Sequence, residues 1–323
     1  MIHAYSIDND RLRRADVQEP FTAEQVWFDL VSPTPQEEKP LEALLGVDLP
    51  TREEMLEIEA TSRLYAEDGG LFLTALLPAN TDSDTPIMEP VTFVLAKNRL
   101  VTIRYHEPQV FKTFPQRVQK TPLGCRDGLS VLVALLEAVV DRLADVLERA
   151  GREIDVISRS VFSRDGAKAR KGTSYQTTLE EIGRKGDLAS NIRDSLATLE
   201  RLVGYLGQRL PQQESVKEMP ERIAALTSDI RSLSDHLEFM AQKVTFLLDA
   251  TLGLIGIEQN AIIKIFSVAA VVFLPPTLVA SIYGMNFEFM PELGWRFGYP
   301  FAILLMILSA VLPYLYFKRR GWL

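Results

Sequence analysis

The chain has 323 residues, 47% of them apolar and 24% charged, with a net charge of −8. That is long enough for one large or two ordinary domains and too apolar for general disorder. The single cysteine, Cys125, excludes an intramolecular disulfide and a cysteine-based zinc site, and it fits a domain facing the cytosol.

The opening stretch Met1–Asp8 has no basic segment ahead of an apolar run, so no cleavable signal is expected. Residues 1–127 read as an α/β domain. Val26–Leu30, Leu71–Leu77, Val91–Leu95 and Leu100–Ile103 are short apolar runs rich in β-branched and aromatic residues, and they predict strands. Lys97, Asn98 and Arg99 supply a tight turn between the last two. Thr34-Pro35 ahead of Glu37, and the Thr51-x-x-Glu54 box, mark helix starts between the first two.

From Gly128 the period changes to three and four. Leu132, Leu136, Val139, Leu143, Val146, Ala150, Ile154, Ile157 and Val161 predict one long amphipathic helix ending near Gly166. The loop beyond it is basic and contains Gly172. A second helical stretch runs from Leu179 to Leu210 and stops at Pro211, so 128–212 reads as long cytoplasmic helices. In the third, Ile223, Leu226, Ile230, Leu233, Leu237, Met240, Val244, Leu247, Thr251 and Leu254 form a coiled-coil-like seam. This stalk, 213–264, continues without a loop signal into the next segment, which predicts a single helix of about 60 residues, roughly 90 Å long.

Ile265–Phe287 and Phe297–Phe317 contain no Asp, Glu, Lys or Arg. Helices of this length span the roughly 30 Å hydrocarbon core of a bilayer. The expected layout is a first span at 265–287, an outer loop at 288–296, a second span at 297–317 and a basic tail at 318–323. Lys318-Arg319-Arg320 after the second span and Lys264 before the first predict cytoplasmic termini in a cell inner membrane. Outside residues 261–323 the chain holds 30 cations against 41 anions, a balance that repels nucleic acid and attracts cations.

No Gly-x-x-x-x-Gly-Lys-Ser/Thr loop and no His-Glu-x-x-His pair is present, and His3, His106 and His236 are scattered. An enzyme and an organic cofactor are therefore not expected. Two apolar helices cannot enclose a polar pathway alone, so transport would need several copies around an axis. The first span carries the polar or small residues Asn260, Ser267, Ala270, Thr277 and Ser281, whereas the second is almost uniformly Leu, Ile, Phe and Ala. The first span is thus the expected pore lining, with Pro275-Pro276 expected to bend or loosen it near Leu274. The other reading of Thr277 and Ser281 is that they only back-bond within the helix.

Between the spans stands Tyr283-Gly284-Met285-Asn286, followed by Phe287-Glu288-Phe289-Met290-Pro291-Glu292-Leu293. This stretch resembles the signature of the CorA family of magnesium transporters. Ile257-Glu258-Gln259-Asn260, Phe273-Leu274-Pro275-Pro276-Thr277 and the closing Lys318-Arg319-Arg320-Gly321-Trp322-Leu323 are similar to the same family, as are, more loosely, Val26–Leu30 and Ile58-Glu59-Ala60.

The resemblance implies an α/β cytoplasmic domain, long stalk helices and two C-terminal transmembrane helices in a funnel-shaped homopentamer in the lipid bilayer. It implies influx of Mg²⁺, with Co²⁺ and Ni²⁺ as further ions, along the first spans. Tyr283, Gly284, Met285 and Asn286 would select the ion at the outer mouth, and Glu288 and Glu292 would concentrate cations there. Thr277 would form an inner polar ring, Leu274 and Ile263 apolar constrictions, and Asn260 the inner mouth. Cytoplasmic Mg²⁺ would close the pore by bridging carboxylates between subunits, with Asp229, Glu221 and Asp235 as candidates. Two alternatives are a zinc transporter of the same fold and a membrane-anchored coiled-coil sensor or scaffold.

Overall fold

The computed structural model describes residues 1–8, 11–15, 21–22, 24–57, 59–83, 85–121, 124–162, 175–209, 218–286 and 290–321. Of the positions singled out above, Ile58, Gly166, Gly172, Leu210, Pro211, Phe287, Glu288, Phe289, Trp322 and Leu323 lie outside the described residues, as do the side chains of Glu292 and Leu293. The chain forms two compact units, residues 1–248 and 249–323.

Seven strands build one mixed sheet in the first unit: β1 (Ile2–Asp8), β2 (Arg11–Ala15), β3 (Gln25–Val31), β4 (Leu64–Glu67), β5 (Gly70–Ala79), β6 (Ile87–Ala96) and β7 (Arg99–Arg104). Their spatial order is β2-β1-β3-β7-β6-β5-β4. All neighbours are antiparallel except β3 and β7, which run parallel in the register Phe28 to Val101 and Leu30 to Ile103. The helices α1 (Pro35–Leu45), α2 (Arg52–Leu56) and α3 (Ala60–Arg63) fall between β3 and β4.

Phe28, Leu30, Val101 and Ile103 share one core with Leu41, Leu45 and Met55 of α1 and α2. Alternate residues of the same strands face the opposite way, where Trp27 meets Phe111 and Phe114 of α4 (Gln109–Lys120). Both faces of the central strands are therefore covered, which is why their sequences are continuous apolar runs and not alternating ones. The expected turn is present: Lys97 and Asn98 both adopt positive φ, 47° and 62°, as a two-residue hairpin turn with right-handed twist requires. Both expected N-terminal boxes also form, with Thr51 N–H donating to Glu54 Oε2 at 2.8 Å and Thr34 N–H to Glu37 Oε2 at 3.0 Å.

A polar chain runs along the opposite, α4-facing side of these strands. Arg104 and Asp29 are nearly inaccessible and pair through two hydrogen bonds, Nε to Oδ1 at 3.0 Å and Nη2 to Oδ2 at 2.9 Å. Thr102 Oγ1 donates to Asp29 Oδ1 at 2.9 Å and accepts from Trp27 Nε1 at 3.1 Å. Arg104 also donates to the carbonyl of His106 and lies over the Phe111 ring, 4.7 Å from its centroid. His106 is buried, with Nε2 on the Leu77 carbonyl at 2.8 Å and Nδ1 lacking a hydrogen-bond partner.

Three long helices follow: α5 (Gly128–Phe162), α6 (Tyr175–Arg209) and α7 (Glu218–Tyr283). Asp127 and Ser130 cap the start of α5 reciprocally, at 2.8 and 2.9 Å. The stripe predicted on α7 is buried at Ile223, Leu226, Ile230, Leu237, Met240 and Leu247. It packs on this chain's own α5 and α6, and three glycines of those helices lie at the contact, where an added methyl group would meet only ordinary van der Waals neighbours. A methyl group at Gly207 would stand 3.4 Å from Ile223, one at Gly186 3.6 Å from Val244, and one at Gly151 4.0 Å from Met240. Ion pairs add three ties: Arg222 to Glu137 at 2.8 and 2.6 Å, Arg231 to Glu200 at 3.2 Å, and Lys243 to Asp155. The last holds the exposed Asp155 carboxyl below its ordinary value, chiefly by hydrogen bonding to Lys243.

The second unit contains the end of α7, a short 3₁₀ turn at Pro291–Gly294 and α8 (Gly298–Arg319). At 66 residues α7 is about 99 Å long and runs unbroken through Pro275 and Pro276. Pro275 and Pro276, where a bend or loosening is expected, lie within this helix without interrupting it. The end of α7 and the whole of α8 are long and apolar enough to cross a membrane, and only 6% of either apolar window is buried inside the chain.

Candidate ion pathway

Asn260, Ile263, Ser267, Ala270, Leu274, Thr277 and Ser281 recur at intervals of three and four on α7. Because the helix is continuous, they fall on a single stripe about 100° wide. All of them are exposed in the single chain. Exposure alone does not single the stripe out, since Phe266 and Phe273 beside it are also more than 60% exposed. What distinguishes it is chemistry: Asn260, Ser267, Ala270, Thr277 and Ser281 set amide, hydroxyl and small side chains along one line, with the aliphatic Ile263 and Leu274 between them.

Thr277 Oγ1 donates to the Phe273 carbonyl at 2.8 Å, so its proton is held within the helix while its lone pairs are left to face outward as acceptors. The same turn lacks two backbone donors. Pro275 and Pro276 have no N–H, and the carbonyls of Val271 and Val272 therefore lose their i+4 partners. This is legible in the sequence, four residues upstream of each proline.

The helix closes at Tyr283. Gly284 N–H donates to the Ala280 carbonyl at 2.9 Å and Met285 N–H to that of Ile282 at 3.3 Å. Gly284 is not left-handed; its requirement is space, because a Cβ there would sit 3.1 Å from the Ala280 oxygen. Asn286 follows as exposed loop, outside the helical ladder. The structure thus places Tyr283, Gly284, Met285 and Asn286 consecutively at the end of the polar stripe. The 3₁₀ turn at Pro291–Gly294 was not anticipated, although Pro291 at its first position is a recognisable start signal.

The acidic candidates lie elsewhere on α7. Glu221, Asp229 and Asp235 are exposed, and at about 1.5 Å rise per residue they are separated by roughly 12 and 9 Å along the helix. They do not converge on one ion within a single chain. Among the described residues, no three His, Cys, Asp or Glu side chains are arranged to hold a metal.

An α/β domain, a very long helix leading out of it, and a two-helix apolar end with a polar stripe together describe a membrane protein of the ion-transporter type. The chain matches the family described as "CorA-like Mg2+ transporter protein" over residues 22–319 and belongs to that family. It is 39% identical over 328 residues to the magnesium transport protein CorA of Escherichia coli (strain K12), and 38% over 326 residues to that of Yersinia pseudotuberculosis. In both cases 100% of each chain is covered. The fold is similar to the CorA magnesium transporter from Methanocaldococcus jannaschii, with a TM-score of 0.79 at 19% identity over 100% of this chain and 99% of that one. It is also similar to the ZntB cytoplasmic domain from Vibrio parahaemolyticus, with a TM-score of 0.57 at 13% identity over 78% of this chain and 96% of that one.

Proposed function

We propose that this protein carries Mg²⁺ across a membrane, down its electrochemical gradient, through a pore lined by the α7 stripe from Asn260 to Ser281 in a homopentamer. The observation that carries the reading is the full-length similarity to magnesium transport proteins, joined to an uncovered polar stripe that ends at Gly284-Met285-Asn286. The residue boundaries expected for the stalk, spans, loop and tail belong to the same proposal.

Mg²⁺ is small, insists on octahedral oxygen geometry and sheds water reluctantly, so stripping it to bare protein ligands would impose a high barrier. A ring of Asn286 amide oxygens grips the hydrated ion without that cost and without the trapping of a carboxylate ring. Thr277 offers acceptor lone pairs deeper in the pore, and Leu274 and Ile263 supply apolar constrictions that close by dewetting. Glu288 and Glu292 raise the local cation concentration outside. No ionisable side chain lies on the stripe to oppose or hold a divalent ion. Energy comes from the potential: at −100 mV a divalent cation gains about 4.6 kcal/mol on moving inward. Cytoplasmic Mg²⁺ at Asp229, Glu221 or Asp235, shared with an acid of a neighbouring subunit, closes the pore. Co²⁺ and Ni²⁺ have the charge and octahedral habit to follow the same path. The protein sits in a cell inner membrane with both termini cytoplasmic, as its flanking cations suggest.

The test is uptake into liposomes holding an entrapped Mg²⁺ dye under an inside-negative potential. Asn286→Ala is expected to lower uptake at least about tenfold while leaving the oligomer intact. Equal uptake by wild type and variant would remove Asn286 from selection, and uptake of Zn²⁺ in preference to Mg²⁺ would favour the zinc reading.

A further inference from the structure

We infer that the inner ends of the two spans form a binding site for the phosphate headgroups of anionic phospholipids, built from Lys264, Lys318, Arg319 and Arg320. The inference rests on the reading that α8 and the end of α7 cross a bilayer. It adds a ligand that this reading does not contain.

The first observation is depth. From Tyr283 back to Lys264 the helix α7 measures about 28 Å, and from Gly298 to Lys318 the helix α8 measures about 30 Å. The two spans flank one short connecting segment in the sequence, and on the reading that both cross the bilayer each reaches its first cation at the thickness of the hydrocarbon core. Four cations per chain therefore arrive at one interface.

The second observation is that these cations are unspent. Lys264, Lys318, Arg319 and Arg320 are exposed, and none makes an ion pair among the described residues, whereas Arg222, Arg231 and Lys243 on α7 each hold a carboxylate. The acid nearest this level on α7 is Glu258, six residues or about 9 Å further from the span. Arg320 lies over the Tyr316 ring, 5.8 Å from its centroid, which holds its guanidinium beside an interfacial aromatic. Gly321 takes a left-handed φ of 72° and ends the helix directly after the cluster, which confines the cations to its last turn and cap. Their long stems lie along apolar surface while the charged heads reach headgroup level. Unpaired cations at that level meet the negative surface of an anionic leaflet, and each adds to the attraction.

The experiment uses the full chain in phosphatidylcholine nanodiscs containing about a quarter phosphatidylglycerol, followed by detergent extraction and quantification of the lipid that stays with the protein. Wild type is expected to retain phosphatidylglycerol several-fold above its bulk fraction, and added KCl should lower that excess. The variant K264Q/K318Q/R319Q/R320Q should retain the bulk ratio, and the charge-preserving K318R/R319K/R320K should behave as wild type. Should the neutral variant fail to insert, the salt titration on wild type decides. An excess that is indifferent to salt, an excess preserved in the inserted neutral variant, or an excess lost in the charge-preserving one each overturns the site. Displacement of the lipid by inorganic phosphate beyond the effect of chloride at equal ionic strength would assign the cations to free phosphate instead. Because no ion flux is read, failure of the Mg²⁺ reading leaves this result standing; failure to float with liposomes would remove the membrane reading itself.

Discussion

Asp29 and Arg104 show how a single pair organises the sheet. Each is nearly inaccessible, and each sits on one strand of the only parallel pairing among the described residues, so that β3, β7 and α4 are joined by one guanidinium. Removing the carboxylate would leave a buried cation without its counter-charge, which costs about 3–5 kcal/mol. Asp29→Ala is accordingly expected to lower the denaturant midpoint of the N-terminal unit sharply, and Asp29→Leu with Arg104→Met to recover part of that loss. His106 reports on pH. Burial holds its imidazole below the ordinary value of 6.5, with the Leu77 carbonyl and Glu89 pulling it upward and Arg104 pushing it further down. A base whose pKa is depressed by folding takes up protons more readily when unfolded, so its contribution is present above pH 6.5 and is lost as pH falls below it. His3 is shifted in the same direction, by burial and by Arg14, which donates to its Nδ1 at 2.8 Å. Thermal midpoints between pH 7.5 and pH 5 should fall in wild type and fall less in His106→Gln. Nothing in the sequence marks His106 as buried, since its position depends on β5 lying beside it.

At the scale of elements, the runs that are buried on both sides were readable as strands because continuous apolarity needs no partner to be recognised. β1, which lies next to the edge, and the two edge strands themselves were not. β2 reads Arg-Leu-Arg-Arg-Ala and β4 Leu-Tyr-Ala-Glu; β2 carries the charges that keep an edge from pairing with another chain, and neither shows a strand run. The helix α4 was missed as well, since Pro115 in its interior is a breaker signal that tertiary packing of Phe111, Phe114 and Val118 overrides. The start of α5 depends on close approach: a Cβ at Gly128 would lie 2.5 Å from the Arg99 carbonyl carbon and 2.6 Å from the Leu100 nitrogen. Those atoms are backbone and cannot swing aside. Gly128→Ala should therefore destabilise the first unit by about 1–3 kcal/mol, read as a lower unfolding midpoint. Gly253→Ala, where a Cβ meets nothing within 4 Å, is the control and should leave the midpoint unchanged or raise it slightly.

At the scale of the whole molecule, the proposed pentamer in a bilayer would cover the exposed α7 stripe and the exposed α8 with further copies and lipid. In the proposed pentamer, Mg²⁺ binding at the stalk and closing of the pore are linked, so that weakening one shifts the other. Asp229→Lys replaces the carboxylate with a cation. It should raise the internal Mg²⁺ concentration needed to halve uptake by about tenfold or more, measured in the same dye-loaded liposomes. No change in that concentration would drop Asp229 from the closing mechanism.

Hydropathy and the Gly284-Met285-Asn286 motif made the two apolar C-terminal helices and the family legible without a structure, because these depend on local composition and spacing. The continuity of α7 was legible for the same reason. Only the tertiary structure decided that the α7 seam is buried against this chain's own α5 and α6, that Asp29 and Arg104 meet, and that His106 is buried. It also showed that Glu221, Asp229 and Asp235 stay apart. These features join residues distant in sequence, and a residue's spacing along the chain carries no record of which distant backbone will come close to it.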